Sequence, residues 1–402
     1  MNKKILILND GSQYQNWGIK ACIDGLNLII SEQNQGVECI GLSHAYMHQR
    51  YTFDPTILGR RLFTDDSRLA KKFLPPFHVL PRIADEFEAV AELWLQGKGG
   101  GGAQIFLQRA GEVDAVVFNA EGSTYRDNIG AMKGLFMLWF AKTKLGKKAM
   151  FVNGSVTLTS VDAVLPAIIK KTFSSIDVVA VRETVSQVGL SARYSQLTKK
   201  VQMFPDSVFA LPHANESGLS SMEFLPKDFF VFSLSMLPMD HYRSLEHSSI
   251  VHVITELKKI VPHVVLLAKD TEDQVLQEVA QITGATFVGP SYNYDDVMGI
   301  LKRAKFLFSG RYHHLIFATK VGCPVIPMDT SSHKIHGLAN LFKGLMPRPI
   351  DPTDLWEESP VIITQAKAIL EQGDILRNEY AARAEILRED ALRLSSIIQG
   401  AL

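Results

Sequence analysis

The stretch Lys305–Asp329, KFLFSGRYHHLIFATKVGCPVIPMD, decides the fold. It begins with a short apolar run, Phe306-Leu307-Phe308, and turns on Ser309-Gly310. A helical pattern follows from His314 to Lys320. Gly322 can end that helix, and Pro324 opens a second apolar run, Val325 to Met328. Strand, tight turn, helix, strand is one βαβ unit. The first turn of a helix entered from a strand offers free backbone N–H groups and the positive end of the helix dipole, so it draws anions. Arg311 stands there with a planar fork that grips a carboxylate or phosphate through two bonds. His313, two residues on, can move a proton near neutral pH. Either residue alone reads most simply as a helix-start side chain satisfied by local carbonyls. Together, beside a Ser-Gly turn, they point to an anion or catalytic site.

The same alternation recurs upstream of this unit. Phe229–Leu234, Val264–Leu267 and Thr286–Val288 read as strands. Ser248–Ile260, Thr271–Ile282 and Tyr294–Arg303 read as helices between and after them. Downstream, His333-Lys334-Ile335-His336-Gly337 follows the last strand at once, and Lys334 is a second cation for the same anion. The tail from about Ile362, rich in Ala, Leu, Arg and Glu, reads as helix. The polar stretch His213–Lys227 reads as a linker. The expected domains are 1–212 and 225–361, with a helical tail at 362–402.

The N-terminal half is a second α/β series. Lys4–Leu8 is a buried-strand run, followed by a polar turn, Asn9 to Asn16, and a helix from about Ile19 to Ile30. A loop at the carboxyl end of a first strand is where doubly wound domains bind ligands, so Asp10, Ser12, Asn16 and Gly18 are candidates. Helix capping is the plainer role for Asp10 and Asn16. No GxGxxG is present. Val37–Leu42 reads as a strand. The segment His44–Arg82 interleaves basic and aromatic residues around Pro75-Pro76; it reads first as an ordinary insertion, second as a surface for an anionic acceptor or a bilayer face. Ile83–Gln96 is an amphipathic helix. The run Gly97–Gly102 has no strand leading into it and reads as a flexible linker. Ala115–Phe118 is a strand that ends in Asn119-Ala120-Glu121-Gly122-Ser123, where Glu121 offers an acid or base and Asn119 and Ser123 form the turn. A helix at Met132–Leu145 and a strand at Ala149–Val152 follow. Ile176–Val181 is the next strand; Arg182 after it is a second anion clamp or, more plainly, half of a surface ion pair, with Ser186 nearby.

At 402 residues, 46% of them hydrophobic, the chain can build two domains with a large core. Lys plus Arg (42) equals Asp plus Glu (42), which argues against nucleic-acid binding driven by bulk charge. Cys22, Cys39 and Cys323 are an odd number without paired spacing, so neither a disulfide framework nor a zinc site is expected. No cofactor is called for, and no metal-ligand spacing is visible. The N-terminal apolar core is too short for a signal peptide, and no apolar run reaches about 18 residues. A cytoplasmic protein is expected, with at most a peripheral contact at the inner face of the cytoplasmic membrane.

These residues resemble the polysaccharide pyruvyl transferase family. SGRYHHLIFATKVGCPVI is similar to its Ser-x-Arg-x-His, apolar helix and Gly-x-Pro signature. Ile176–Ser186 is similar to its strand followed by Arg-acid-x-x-Ser. Phe204-Pro205-Asp206 matches its Pro-Asp step, Asn16-Trp17-Gly18 its Asn-x-Gly, and His333–Gly337 its Lys-x-x-Gly. The matches come in order across roughly residues 5 to 340. The resemblance implies a GT-B-like α/β fold, two Rossmann-like domains facing across a cleft. It implies transfer of the pyruvyl group of phosphoenolpyruvate to a sugar of a cell-surface glycan or its precursor, free or lipid-linked, as a ketal. On this reading the N-terminal domain takes the acceptor, through Asn16, Gly18, Asn119 and Ser123. The donor side holds phosphoenolpyruvate through Ser309, Gly310, Arg311, His314 and Lys334, with Arg182. His313 is the main proton-transfer group, assisted by Glu121 or Asp10. Two departures stand out: many members have a Gly-Gly-Gly turn where this chain has residues 119–123, and Ala268-Lys269-Asp270 lacks a histidine often found there. The alternative is a GT-B glycosyltransferase using a nucleotide-sugar donor held by the same helix start and Arg311. A non-catalytic glycan-binding protein would have no need for Arg182, Arg311 and His313 together.

Overall fold

The computed structural model describes residues 3–14, 16–33, 36–47, 76–122, 124–125, 127–159, 162–212, 224–235, 247–269, 273 and 275–402. Most of the basic-aromatic segment, most of the expected linker, Ser123 and Asp270 lie outside them. The chain divides into two compact units. The first comprises Met1–Tyr14, Cys22–Asp206 and Leu392–Leu402; the second comprises Gln15–Ala21 and Ser207–Ala391.

The strands of the first unit are β1 (Lys4–Asp10), β2 (Glu38–Ser43), β3 (Ala115–Asn119), β4 (Thr124–Tyr125), β5 (Lys148–Gly154), β6 (Val156–Thr157), β7 (Val178–Val181) and β8 (Val201–Met203). Six of them form a parallel sheet in the order β2-β1-β3-β5-β7-β8, and β4 pairs with β6. Unbroken apolar runs such as Ile5–Leu8 and Ala115–Phe118 suit a parallel sheet covered on both faces, and these residues are buried. The helix Ile129–Thr143 is apolar nearly all round and is buried from Gly130 to Ala141. Trp94 packs edge-on against its Phe136, with ring centroids 5.0 Å apart, and donates Nε1 to the Val79 carbonyl. The glycine run does not behave as a linker. It is a packed turn between the helices Phe87–Leu95 and Gly101–Gly111: the Gly99 carbonyl accepts from His78 N, and Gly102 N donates to the Pro76 carbonyl.

The second unit holds β9 (Phe229–Ser235), β10 (His263–Leu267), β11 (Thr286–Val288), β12 (Leu307–Gly310) and β13 (Val325–Pro327). All are parallel, in the order β11-β10-β9-β12-β13. Helices His247–Lys258, Val275–Thr283, Tyr294–Arg303, Tyr312–Lys320 and Lys334–Leu341 alternate with them or follow. The helix Ser359–Leu392 breaks at Gly373. Its Arg377, Tyr380 and Arg383 donate to carbonyls of Ala304 and Lys302, Leu345, and Leu341 in the second unit. The final helix, Leu394–Ala401, belongs to the first unit, where it packs on β7. Among the described residues, no helix is long and apolar enough to cross a membrane.

Both sheets are doubly wound. In the first, successive strands leave β1 on opposite sides, to β2 and to β3; in the second they leave β9, to β10 and to β12. The crevice beyond the carboxyl ends at such a reversal is where open α/β sheets take their ligands.

Candidate functional site

At the reversal point of the second unit, β9 ends in Ser233-Leu234-Ser235 and β12 in Ser309-Gly310, which leads into Arg311. The parallel register sets Ser309 opposite Ser233 and Gly310 opposite Ser235. A β-carbon on Gly310 would lie 2.7 Å from the Ser235 Cα, so only glycine lets the two strand ends close on each other. Arg311 is the N-cap of the helix Tyr312–Lys320 and is 3% exposed. Its Nη2 pairs with the buried Asp273. Its Nε and Nη1 are buried without a partner among the described residues. A buried N–H without an acceptor is costly, so two such nitrogens on one guanidinium suit an anion.

Three further side chains of the same unit gather here. His314 Nδ1 lies 2.8 Å from Ser233 Oγ, which lies 2.5 Å from Ser309 Oγ. His314 Nε2 is buried, with no partner among the described residues. Burial first, then the charges of Arg311, Lys269 and His313, push the His314 pKa well below that of a free imidazole, so its ring is neutral. Trp17 stacks on it at 4.8 Å with planes 9° apart, and Trp17 Nε1 is also buried without a partner among the described residues. His313, half-buried, lies over Gly18: a β-carbon there would meet His313 Nδ1 at 2.4 Å. The unpaired atoms on Arg311, His314 and Trp17 are donors or neutral ring nitrogens, so the ligand they suit is an anion rather than a cation.

The reversal point of the first unit is lined by asparagines. Asn9, Asn119 and Asn153 stand at the carboxyl ends of β1, β3 and β5. Asn9 Nδ2 donates to the Asn119 carbonyl at 2.8 Å, and Asn153 Nδ2 to Asn119 Oδ1 at 3.1 Å. His44 Nδ1 meets Asn9 Oδ1 at 2.7 Å, and Asn119 Nδ2 is buried with no partner among the described residues. Glu121 lies in the turn after β3, half-buried. Two strands along, Arg182 is 1% exposed, with Nη1 2.7 Å from Asp206 and Nε 2.9 Å from Ser155 Oγ. Cys22 Sγ donates to the other oxygen of Asp206 at 3.6 Å. Burial, with Asp206 and Glu121 adding to it, pushes its thiol pKa up and keeps it protonated. The Arg182 ion pair is thus buried, not the surface pair of the plainer sequence reading.

The sequence-derived candidates therefore fall into two groups. Gly18, Ser309, Gly310, Arg311, His313 and His314 converge in the second unit. Asp10, Asn119, Glu121 and Arg182 stand at strand ends of the first. Asn16 Oδ1 accepts from the backbone of Gly18 and Ile19, which caps the helix Trp17–Gln33. Asp10 Oδ1 accepts from Ser12 N. Ser186 is taken up locally: Glu183 caps its helix through Ser186 N, and Ser186 Oγ accepts from Val156 N. Lys334 is the first residue of a helix that sequence reading did not anticipate. Sequence reasoning also left out Ser233, Trp17, Asp273, Asn9 and His44. Ser233 carried a legible signal, a hydroxyl inside the otherwise apolar strand Phe229–Leu234.

Comparison with known proteins bears on both units. The profile of the family described as polysaccharide pyruvyl transferase matches residues 24–332. None of the curated proteins matches the chain. Among solved structures, UDP-GlcNAc 2-epimerase from Methanocaldococcus jannaschii aligns at a TM-score of 0.55 and 13% identity, covering 99% of each chain. The Neisseria meningitidis UDP-GlcNAc 2-epimerase, bound to UDP-GlcNAc, aligns at 0.57 and 11%, again over 99% of each. The UDP-N-acetylglucosamine 2-epimerase from Rickettsia bellii aligns at 0.55 and 12%, over 100% of this chain and 96% of the other. At such identity the likeness is one of fold, the GT-B-like α/β two-domain arrangement.

Proposed function

The chain belongs to the polysaccharide pyruvyl transferase family, and from that premise we propose that it transfers the pyruvyl group of phosphoenolpyruvate to two hydroxyls of a glycan sugar, forming a cyclic ketal. The observation that carries this reading is the buried guanidinium of Arg311, with two nitrogens that have no partner among the described residues, at the reversal point of the second sheet. Phosphoenolpyruvate has a carboxylate and a phosphate, and a planar fork beside a helix N-terminus suits either group.

His313 delivers a proton to the methylene carbon, which becomes a methyl group and leaves cationic character on the adjacent carbon. The first acceptor hydroxyl adds to that carbon and its proton returns to His313, which restores the acid. The second hydroxyl adds as phosphate departs, and its proton goes with the phosphate. Arg311 stabilises the anion through addition and departure without exchanging protons itself. The acceptor is a sugar of a surface polysaccharide or its lipid-linked precursor, and Asn119, Glu121 and Asp10 of the first unit are its proposed contacts, Glu121 or Asp10 assisting as base.

The test is incubation with acceptor glycans and either phosphoenolpyruvate or nucleotide sugars. Release of inorganic phosphate with a pyruvyl-sized mass gain on the glycan is expected. Release of a nucleotide with a sugar-sized gain would overturn the reading in favour of a glycosyltransferase.

A further inference from the structure

Two adjacent histidines follow Arg311, and the mechanism above uses one of them. The other, His314, is more tightly constrained. Its ring is 1% exposed and stacked on Trp17. Its Nδ1 ends a chain of two buried hydroxyls whose hydrogens can be assigned by counting acceptors. Ser309 Oγ accepts the backbone N–H of Arg311 at 2.9 Å. The hydroxyl hydrogen of Ser309 then has Ser233 Oγ as its acceptor at 2.5 Å. Ser233 in turn gives its hydrogen to His314 Nδ1 at 2.8 Å. Nδ1 is therefore a bare acceptor, and the proton of the neutral ring sits on Nε2. Run the other way, with Nδ1–H donating to Ser233, the chain would leave one of the two serine hydrogens without an acceptor among the described residues, an unsatisfied buried donor. The charged and titratable groups around the ring are Arg311 and His313 on its own segment, Lys269 after β10, and Asp273 on Arg311.

We propose that Ser309 and Ser233 hold His314 as its Nε2–H tautomer, a fixed donor to the same anion as Arg311, so that of the two adjacent histidines only His313 exchanges protons. Neutrality follows from burial and from the three neighbouring positive or titratable groups, which make a second charge on the ring unfavourable. The serine of the family-like Ser-x-Arg-x-His stretch thus acts at a distance, through Ser233 on the neighbouring strand. Ser309 and Ser233 are positioning residues; His314 is an anion contact. The kinetic arm of the test rests on the phosphoenolpyruvate reading, and the spectroscopic arm does not.

The test uses nitrogen-15 spectra of the full chain labelled at histidine, with the His314 signals assigned by their loss in His314→Gln. One ring should show a bare Nδ1 and a protonated Nε2 from about pH 6 to pH 8, and adding inorganic phosphate should move its Nε2–H resonance. Ser233→Ala should release the tautomer into a mixture. Kinetically, His314→Phe should raise the KM for phosphoenolpyruvate about tenfold, the loss of one hydrogen bond to an anion. His314→Gln, whose amide nitrogen falls near Nε2, should stay within about threefold of wild type, and the pH profile of kcat should move in neither. An Nδ1–H ring, a doubly protonated ring, no response to phosphate, or equal losses in the Gln and Phe variants would overturn the proposal. A wild-type protein that turns over no phosphoenolpyruvate, while its ring shows the Nε2–H form and responds to phosphate, would sink the functional reading and support this one.

Discussion

Arg311 gives one nitrogen to Asp273, and its other two are buried without a partner among the described residues, so the ion pair and the proposed donor contact can be separated by substitution. Arg311→Ala abolishes both. It strands a buried carboxylate, at a cost of about 3–5 kcal/mol of stability, and unfolding measurements would show that loss beside the loss of donor binding. Arg311→Lys keeps a charge for Asp273 but lacks the planar fork. Its expected outcome is a donor affinity at least about tenfold weaker, with a thermal midpoint close to wild type. Donor affinity equal to wild type in Arg311→Lys would remove the fork from the site. At this scale the chain supplied the expectation: Arg next to a Ser-Gly turn and a His pair suits an anion by residue type and spacing alone. What was not legible is which nitrogens are free. That depends on Asp273, a residue 38 positions away whose partner no local pattern predicts.

The strand–turn–helix units were legible because their periods differ: apolar runs for β3, β9 and β12, three-to-four spacing for Tyr294–Arg303. Misses came where local signals are thin. β8 is three residues long, and Lys334–Leu341 has no side-chain cap. The glycine run looked like a linker because glycine composition says nothing about tertiary backbone contacts; His78 and Pro76 turned it into a packed turn. Two glycines make opposite predictions for the elements they join. Gly18→Ala would push its methyl into the His313 ring, a side chain that can swing aside. Turnover should fall while the thermal midpoint holds, measured by initial rates and calorimetry. Gly310→Ala meets the Ser235 backbone, which cannot swing aside. It should cost about 1–3 kcal/mol by prying β9 from β12. Equal thermal midpoints for the two variants would contradict the strand-end packing.

For the molecule as a whole, the chain order and the unit boundaries do not coincide. Leu392–Leu402 belongs to the first unit although the preceding helix lies in the second. Leu394 and Ile398 are buried there. Ending the chain at Ala391 should remove about 1.5–3 kcal/mol for each and lower the thermal midpoint by about 2–4 °C per kcal/mol; an unchanged melting curve would refute the docking of this helix. Within the second unit, Lys320 ties the helix after Arg311 to residues 207–211, donating to the Phe209 and Leu211 carbonyls at 2.9 and 2.7 Å. Burial, then Arg388, pushes its pKa down to about 7. Its folded pKa lies below its unfolded one, so the unfolded chain binds the extra proton between about pH 7 and the free-lysine value. Stability relative to Lys320→Met should therefore rise with pH across that window and be lowest below it, as read by denaturant unfolding at several pH values. A difference that stays flat would mean the amine titrates normally. From the sequence alone came the α/β class, the two series of elements, and the Arg311–His313 pair at a helix start, because these rest on residue type and short-range period. Only the tertiary structure decided which strands adjoin β12. That placed Ser233 against Ser309 and His314, and tertiary packing of the helix Trp17–Gln33 set Trp17 and Gly18 against the histidines. Parallel pairing joins strand ends far apart in the chain, and nothing local encodes that choice.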